Sequence, residues 1–103
     1  SPAQPATLET VTERLQLRIK SALSGGVADD ATDDLLAEGY ARALRLDSER
    51  LSLERHITAL AARADDPATA QELRRAWLRH RTLARELSEI RALLRRLKGN
   101  VSR

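Results

Sequence analysis

Residues 63–77 read RADDPATAQELRRAW, a break in a chain whose apolar residues otherwise recur at helical spacing. The break is either a boundary between domains or the turn of a helical hairpin. Asp66 suits a helix N-cap, and Pro67 suits the first helical position, where its missing N–H would have no intrahelical partner. Beyond it Leu73, Ala76, His80, Leu83, Leu87, Ile90, Leu94, Leu97 and Val101 alternate three and four apart, the pattern of a coiled-coil seam. Before it Leu53, Ile57, Leu60 and Ala64 form a matching narrow seam. A short connection between matching seams makes antiparallel neighbours, so the spacing predicts a hairpin. Each arm has about thirty residues, on the order of 45 Å of helix. The second arm should fray or stop at Gly99 and Asn100.

Working back towards the N-terminus, DDATDDLL at 29–36 marks the start of the first arm, with Asp29, Asp30 or Thr32 as cap. Leu36, Tyr40, Ala43, Leu44 and Leu51 form a stripe broader than the later seam, which calls for two covering neighbours rather than one. The second cover is a short helix in which Leu8, Val11, Leu15, Ile19 and Ala22 share a face, with Thr7 as its cap and Gly25 and Gly26 as its stop. Leu15 and Ile19 are expected to lie on the broad stripe. Gly39, inside the first arm, costs helix propensity and suggests close helix approach. The expected architecture is all-α: a short N-terminal helix packed on a long antiparallel two-helix hairpin, a three-helix bundle of coiled-coil character. Its helices span about 7–24, 31–64 and 67–98 of one domain, 7–103, after a disordered leader, SPAQPA, at 1–6.

The composition agrees. Among 103 residues there is no Phe, one Trp and one Tyr, which suits helices that pack by aliphatic ridges. With no cysteine there is neither a disulfide framework nor a thiolate metal site, in keeping with a cytoplasmic location. No apolar run approaches the eighteen or so residues of a membrane span. The net charge of +3 conceals an asymmetry: residues 1–26 balance at +1, residues 27–66 at −5 and residues 67–103 at +7. An acidic arm beside a basic one suits two helices paired face to face, while the excess of arginine also allows a nucleic-acid patch.

Chemistry is sparse on this frame. His80 lies on the seam and His56 beside it, but neither has a second ligand at metal-binding spacing. The expected role of His80 is a polar seam position near Arg50 that fixes register. Glu86 and Glu89 are a solvated helix pair, and the Asp pairs are caps. Nucleophile–base sets, phosphate loops and dinucleotide fingerprints are absent, so neither an enzyme nor a cofactor is expected. Trp77 is the residue with most to offer. It neighbours the seam near the hairpin tip among Arg74, Arg75, Arg79 and Arg81, and Trp with Arg is the pair enriched in binding hot spots. It either contacts a partner or folds back over Ile57.

Residues 41–97, from ARALRLDSERLSLERHITAL through the acidic break to LARELSEIRALLRRL, resemble the terminal helical hairpin of bacterial primases. The similarity lies in an Arg/Leu-rich helix of the RLSLERHITAL kind, a short acidic break and a last helix near the terminus. The resemblance implies a helicase-interacting C-terminal domain that docks on a replicative helicase. The zinc-binding and polymerising domains of that family are not part of this sequence, and no family site motif is present to transfer. A spectrin-like repeat has a similar helix count but a longer first helix that commonly carries a Trp. The expected function is therefore a non-catalytic protein–protein interaction module, with another protein as partner. The alternatives are a basic nucleic-acid-binding domain using the arginines of the last helix, or a generic adaptor that self-associates through its seam.

Overall fold

In the computed structural model, which describes residues 10–25 and 29–101, the fold is all-α. A short helix α1 (Val11–Leu23) is followed by two long ones, α2 (Asp29–Ala61) and α3 (Pro67–Val101). Each begins and ends for local reasons. The first is capped at Thr10: its hydroxyl accepts the Glu13 N–H while the Glu13 carboxylate accepts the Thr10 N–H, a reciprocal capping box. Thr7 and Leu8, expected as cap and first apolar residue, lie outside the described residues. The helix ends at Ser24, and Gly25 takes a φ of 97°, a left-handed conformation that glycine adopts without strain.

The second helix starts at Asp29, two residues before the expected position, so Asp30 and Thr32 are helical rather than caps; the residue preceding Asp29 is outside the described set. Thr32 is buried. The helix ends at Ala61, and residues 62–66 make the turn, which leaves Ala64 exposed instead of in the seam. Asp66 then caps α3, its carboxylate accepting the Thr69 hydroxyl at 2.9 Å and the Thr69 N–H at 3.3 Å. Its carbonyl opens the helical ladder from Ala70 at 2.9 Å. The last helix runs through Gly99 and Asn100 to Val101 rather than stopping near 98, so a single glycine's propensity cost does not end a helix anchored by Leu93, Leu94 and Leu97 just before it.

The chain forms two compact units, residues up to Arg42 with those from Glu89 onward, and Ala43–Ser88. In the first, α1 packs on the opening turns of α2 and the closing turns of α3. Leu15, Ile19, Ala22, Leu35, Ile90, Leu93, Leu94 and Leu97 are buried there, with Ile19 and Ile90 fully enclosed. The core face of α1 runs through Thr12, Leu15, Ile19 and Ala22, so Val11, expected on it, is instead 61% exposed. Arg18 grips Glu38 through two hydrogen bonds of 2.6 and 3.0 Å, but both are about half exposed, so the pair fixes the approach of α1 more than it stabilises it. Gly39 lets α2 and α3 close together: a Cβ there would fall inside the van der Waals envelope of the Leu94 side chain.

In the second unit α2 and α3 are antiparallel, as the cross-pairs Glu49–Arg79 and His56–Glu72 show, one number rising as the other falls. Ile57, Leu60 and Ala76 form a buried cluster against which Leu53 and Leu73 pack. Ala43, Leu46, Leu83 and Leu87 are buried as well. The seam of α3 thus follows its expected spacing from Leu73 to Leu97, and the narrow seam of α2 does so at Leu53, Ile57 and Leu60, but the broad stripe earlier in α2 does not. Of that stripe Ala43 is buried, but the other apolar residues buried there are Leu35 and Leu46, so the core face is turned away from Leu36, Tyr40, Leu44 and Leu51. Leu36 is only partly buried, Tyr40 and Leu51 are exposed and Leu44 is 72% exposed, which corrects the expectation that α1 covers this stripe.

Candidate functional site

The features expected to matter for function, Trp77 and its arginines, all lie on α3 within the second unit. Because Leu73, Ala76, His80, Leu83 and Leu87 face α2, helical geometry turns residues 74, 78, 81 and 85 outward and leaves residue 77 on a flank. Trp77 is 54% exposed. Its ring meets that of His80 edge to face, centroids 5.6 Å apart and planes at 78°. Ile57, which Trp77 was an alternative to cover, is buried among Leu60 and Ala76, with Leu53 and Leu73 packed against them. Leu78, next to Trp77, is 60% exposed.

The four arginines differ in what they hold. Arg79 reaches across to Glu49 at 3.3 Å. Arg74, Arg75 and Arg81 are exposed and make no hydrogen bond or ion pair among the described residues, and Arg85 is alike in both respects. Helical spacing therefore sets Trp77, Arg74, Arg81 and Arg85 around Leu78, with Arg75 on the side of Leu78 away from Trp77 and Arg79 on the other flank. Leu78 and Arg85 were missed in the sequence. The signal was present: once the seam is fixed, a leucine two residues before His80 falls on the face opposite the core.

The seam itself carries a polar chain across the hairpin. Arg50 holds Asp47 at 2.7 Å and Glu54 at 2.7 Å, and Glu54 meets His80 Nε2 at 2.8 Å. Hydrogen bonding to His80, opposed by desolvation and helped by the Arg50 charge, holds the Glu54 carboxyl below the usual carboxylate range. His80 and Arg50 thus meet on the seam as expected, but through Glu54, a partner the sequence spacing did not identify. Glu72 pairs with His56 at 3.3 Å. Among the described residues no three His, Cys, Asp or Glu side chains are grouped so as to hold a metal ion.

Each unit carries a cleft among its described residues. An open one of about 340 Å³ lies between Glu49, Leu53, His56, Arg79 and Leu83 in the second unit. Its charged rim is closed on itself by the Glu49–Arg79 and His56–Glu72 pairs. In the first unit a cleft of about 260 Å³ is lined by Gln16, Lys20, Glu89, Leu93 and Arg96. Gln16 Nε2 is buried without a hydrogen-bond partner among the described residues. The outer face of α3 differs from both in presenting apolar area and unsatisfied positive charge side by side. No described helix is long and apolar enough to cross a membrane. The chain matches no known protein-family model, no curated protein and no solved structure.

Proposed function

We propose that this chain is a non-catalytic helical module that binds another protein through the outer face of α3. The observation that carries the reading is the exposure of Trp77 and Leu78 among Arg74, Arg75 and Arg81, which have no carboxylate partner among the described residues. An exposed tryptophan gains most when a partner removes it from water, and arginine beside it supplies directional hydrogen bonds; together they are the usual composition of an energetic hot spot. The hairpin beneath provides a rigid frame, because Ile57, Leu60 and Ala76 fix α3 on α2 without using this face. The resemblance of residues 41–97 to the primase hairpin gives the reading its most specific form, docking on a replicative helicase. The cysteine-free composition supports placing this activity in the cytoplasm.

The same arginines favour a second reading, a nucleic-acid-binding face, and salt separates the two. Phosphate binding weakens steeply with salt concentration, whereas contact through Trp and Leu does not. The test is capture from the native host with the wild-type chain, Trp77→Ala and Leu78→Ser, together with direct titration of a purified replicative helicase. A partner retained by the wild type and lost by both variants, at unchanged melting temperature, supports the module. Equal retention by all three removes this surface from consideration, and an inert helicase removes the specific form alone.

A further inference from the structure

Arg74, Arg75, Arg81 and Arg85 on α3 make no ion pair among the described residues. In the second unit Glu49 is committed to Arg79, Glu54 to Arg50 and His80, Glu72 to His56, and Asp66 to the cap of α3, while Glu86, on α3 itself, pairs with none of these arginines. Arg74, Leu78, Arg81 and Arg85 succeed one another at spacings of four, three and four, which makes one straight row along the helix. At 1.5 Å per residue the row is about 16 Å long, three turns of a second helix laid beside it. Leu78 sits within it, with Arg74 and Arg75 one turn before and Arg81 one turn after, and Trp77 borders it.

From this row we infer that the segment recognised is an acidic amphipathic helix. It would set an apolar residue on Leu78 and Trp77 and carry carboxylates at its own three- and four-residue spacings to meet Arg74, Arg81 and Arg85. The inference rests on the protein-binding reading above and narrows its partner class. A helix is favoured over phosphate because the apolar pair lies in the middle of the charges rather than apart from them. A backbone-tracking nucleic-acid surface would have no use for a leucine there.

Trp77 is the sole tryptophan, so its emission reports on the surface directly. The probe is a synthetic sixteen-residue peptide with Leu on one helical face and Glu flanking it, compared with its Glu→Gln counterpart and with a short DNA duplex. The expected result is a saturable blue shift with the acidic peptide and binding about tenfold weaker, or 1.4 kcal/mol, with the Gln peptide. Leu78→Ser should weaken it by a similar factor, and Arg74→Glu combined with Arg81→Glu should abolish the shift. The exposed Arg55 on α2 serves as control: Arg55→Glu should leave the titration unchanged. Thermal melting of each variant shows that folding is retained. Equal binding of the Gln peptide overturns the acidic partner, as does a duplex that binds more tightly than the peptide and is indifferent to Leu78→Ser. A native partner lost on Trp77→Ala but untouched by the arginine reversals sinks the acidic inference alone, whereas one indifferent to Trp77 and Leu78 sinks the underlying reading as well.

Discussion

Gly39 of α2 faces Leu94 of α3 so closely that a methyl group on Gly39 would overlap the leucine Cδ2. Two effects of Gly39→Ala therefore oppose one another. Alanine improves helix propensity by about 1 kcal/mol. Against that, Leu94 is almost wholly enclosed and has little room to turn aside, and overpacking of this kind costs about 1–3 kcal/mol. The packing term should win, giving a net loss in chemical denaturation. In the Leu94→Ala background the same change should become neutral or stabilising, and a loss as large as in the wild type would contradict the close approach.

Neighbouring leucines on α2 test which face is the core. Leu46 is buried and Leu44 is 72% exposed. Leu46→Ala should cost about 2–5 kcal/mol. Leu44→Ala should stay within about 0.5 kcal/mol of the wild type. Equal losses at the two positions would mean that both stripes of α2 are covered in solution.

Acid should weaken the fold through Glu54 and Glu38. His80 holds the first below the ordinary carboxyl range, and Arg18 does the same for the second by hydrogen bonding. The folded chain thus binds these protons less readily than the unfolded chain, whose glutamates titrate near ~4.3. Their contribution is complete above that range and is lost as pH falls through the lowered folded values. The acid limb of a stability profile should be shallower in Glu54→Gln and in Glu38→Gln than in the wild type. An unchanged limb in both would show that neither contact persists in solution.

Asp66 fixes the start of α3 through Thr69, so Asp66→Ala should cost about 1 kcal/mol and Asp66→Asn much less, since asparagine caps as well as aspartate. Urea midpoints for the two variants check this ordering.

The α3 seam was legible because its apolar residues occupy little more than one face, leaving one solution to the three- and four-residue spacing. On α2 leucine occurs on several sides, at 35 and 36, 44 and 46, 51 and 53. Periodicity then admits two neighbouring stripes, and only the register with α3 chooses between them. Gly39 and Arg50 were the discriminating residues. The glycine marks where backbones approach, and the arginine sits at a seam position because Asp47 and Glu54 satisfy its guanidinium locally. The cap of α1 was legible too: Thr10 is followed three residues later by Glu13, the reciprocal signature that Thr7 lacks. The exposed position of Leu78 drew no notice for a different reason, since an outward leucine acquires meaning only when its uncovered neighbours are known.

The turn at 62–66 also sets an order of events during folding. The cross-helix pairs His80–Glu54 and Arg79–Glu49 join residues 26 and 30 positions apart, and Gly39 and Leu94 lie about twice as far apart along the chain. Doubling a loop adds only about 0.6 kcal/mol to its closure, too little to decide stability but enough to favour the nearer contacts as the first to form. Helix pairing should therefore nucleate at the Asp66-capped turn and advance from it, with α1 joining last. Stopped-flow kinetics should find that Ala76→Gly mainly slows folding while Ile19→Ala mainly hastens unfolding, the reverse pattern marking a nucleus at the chain ends.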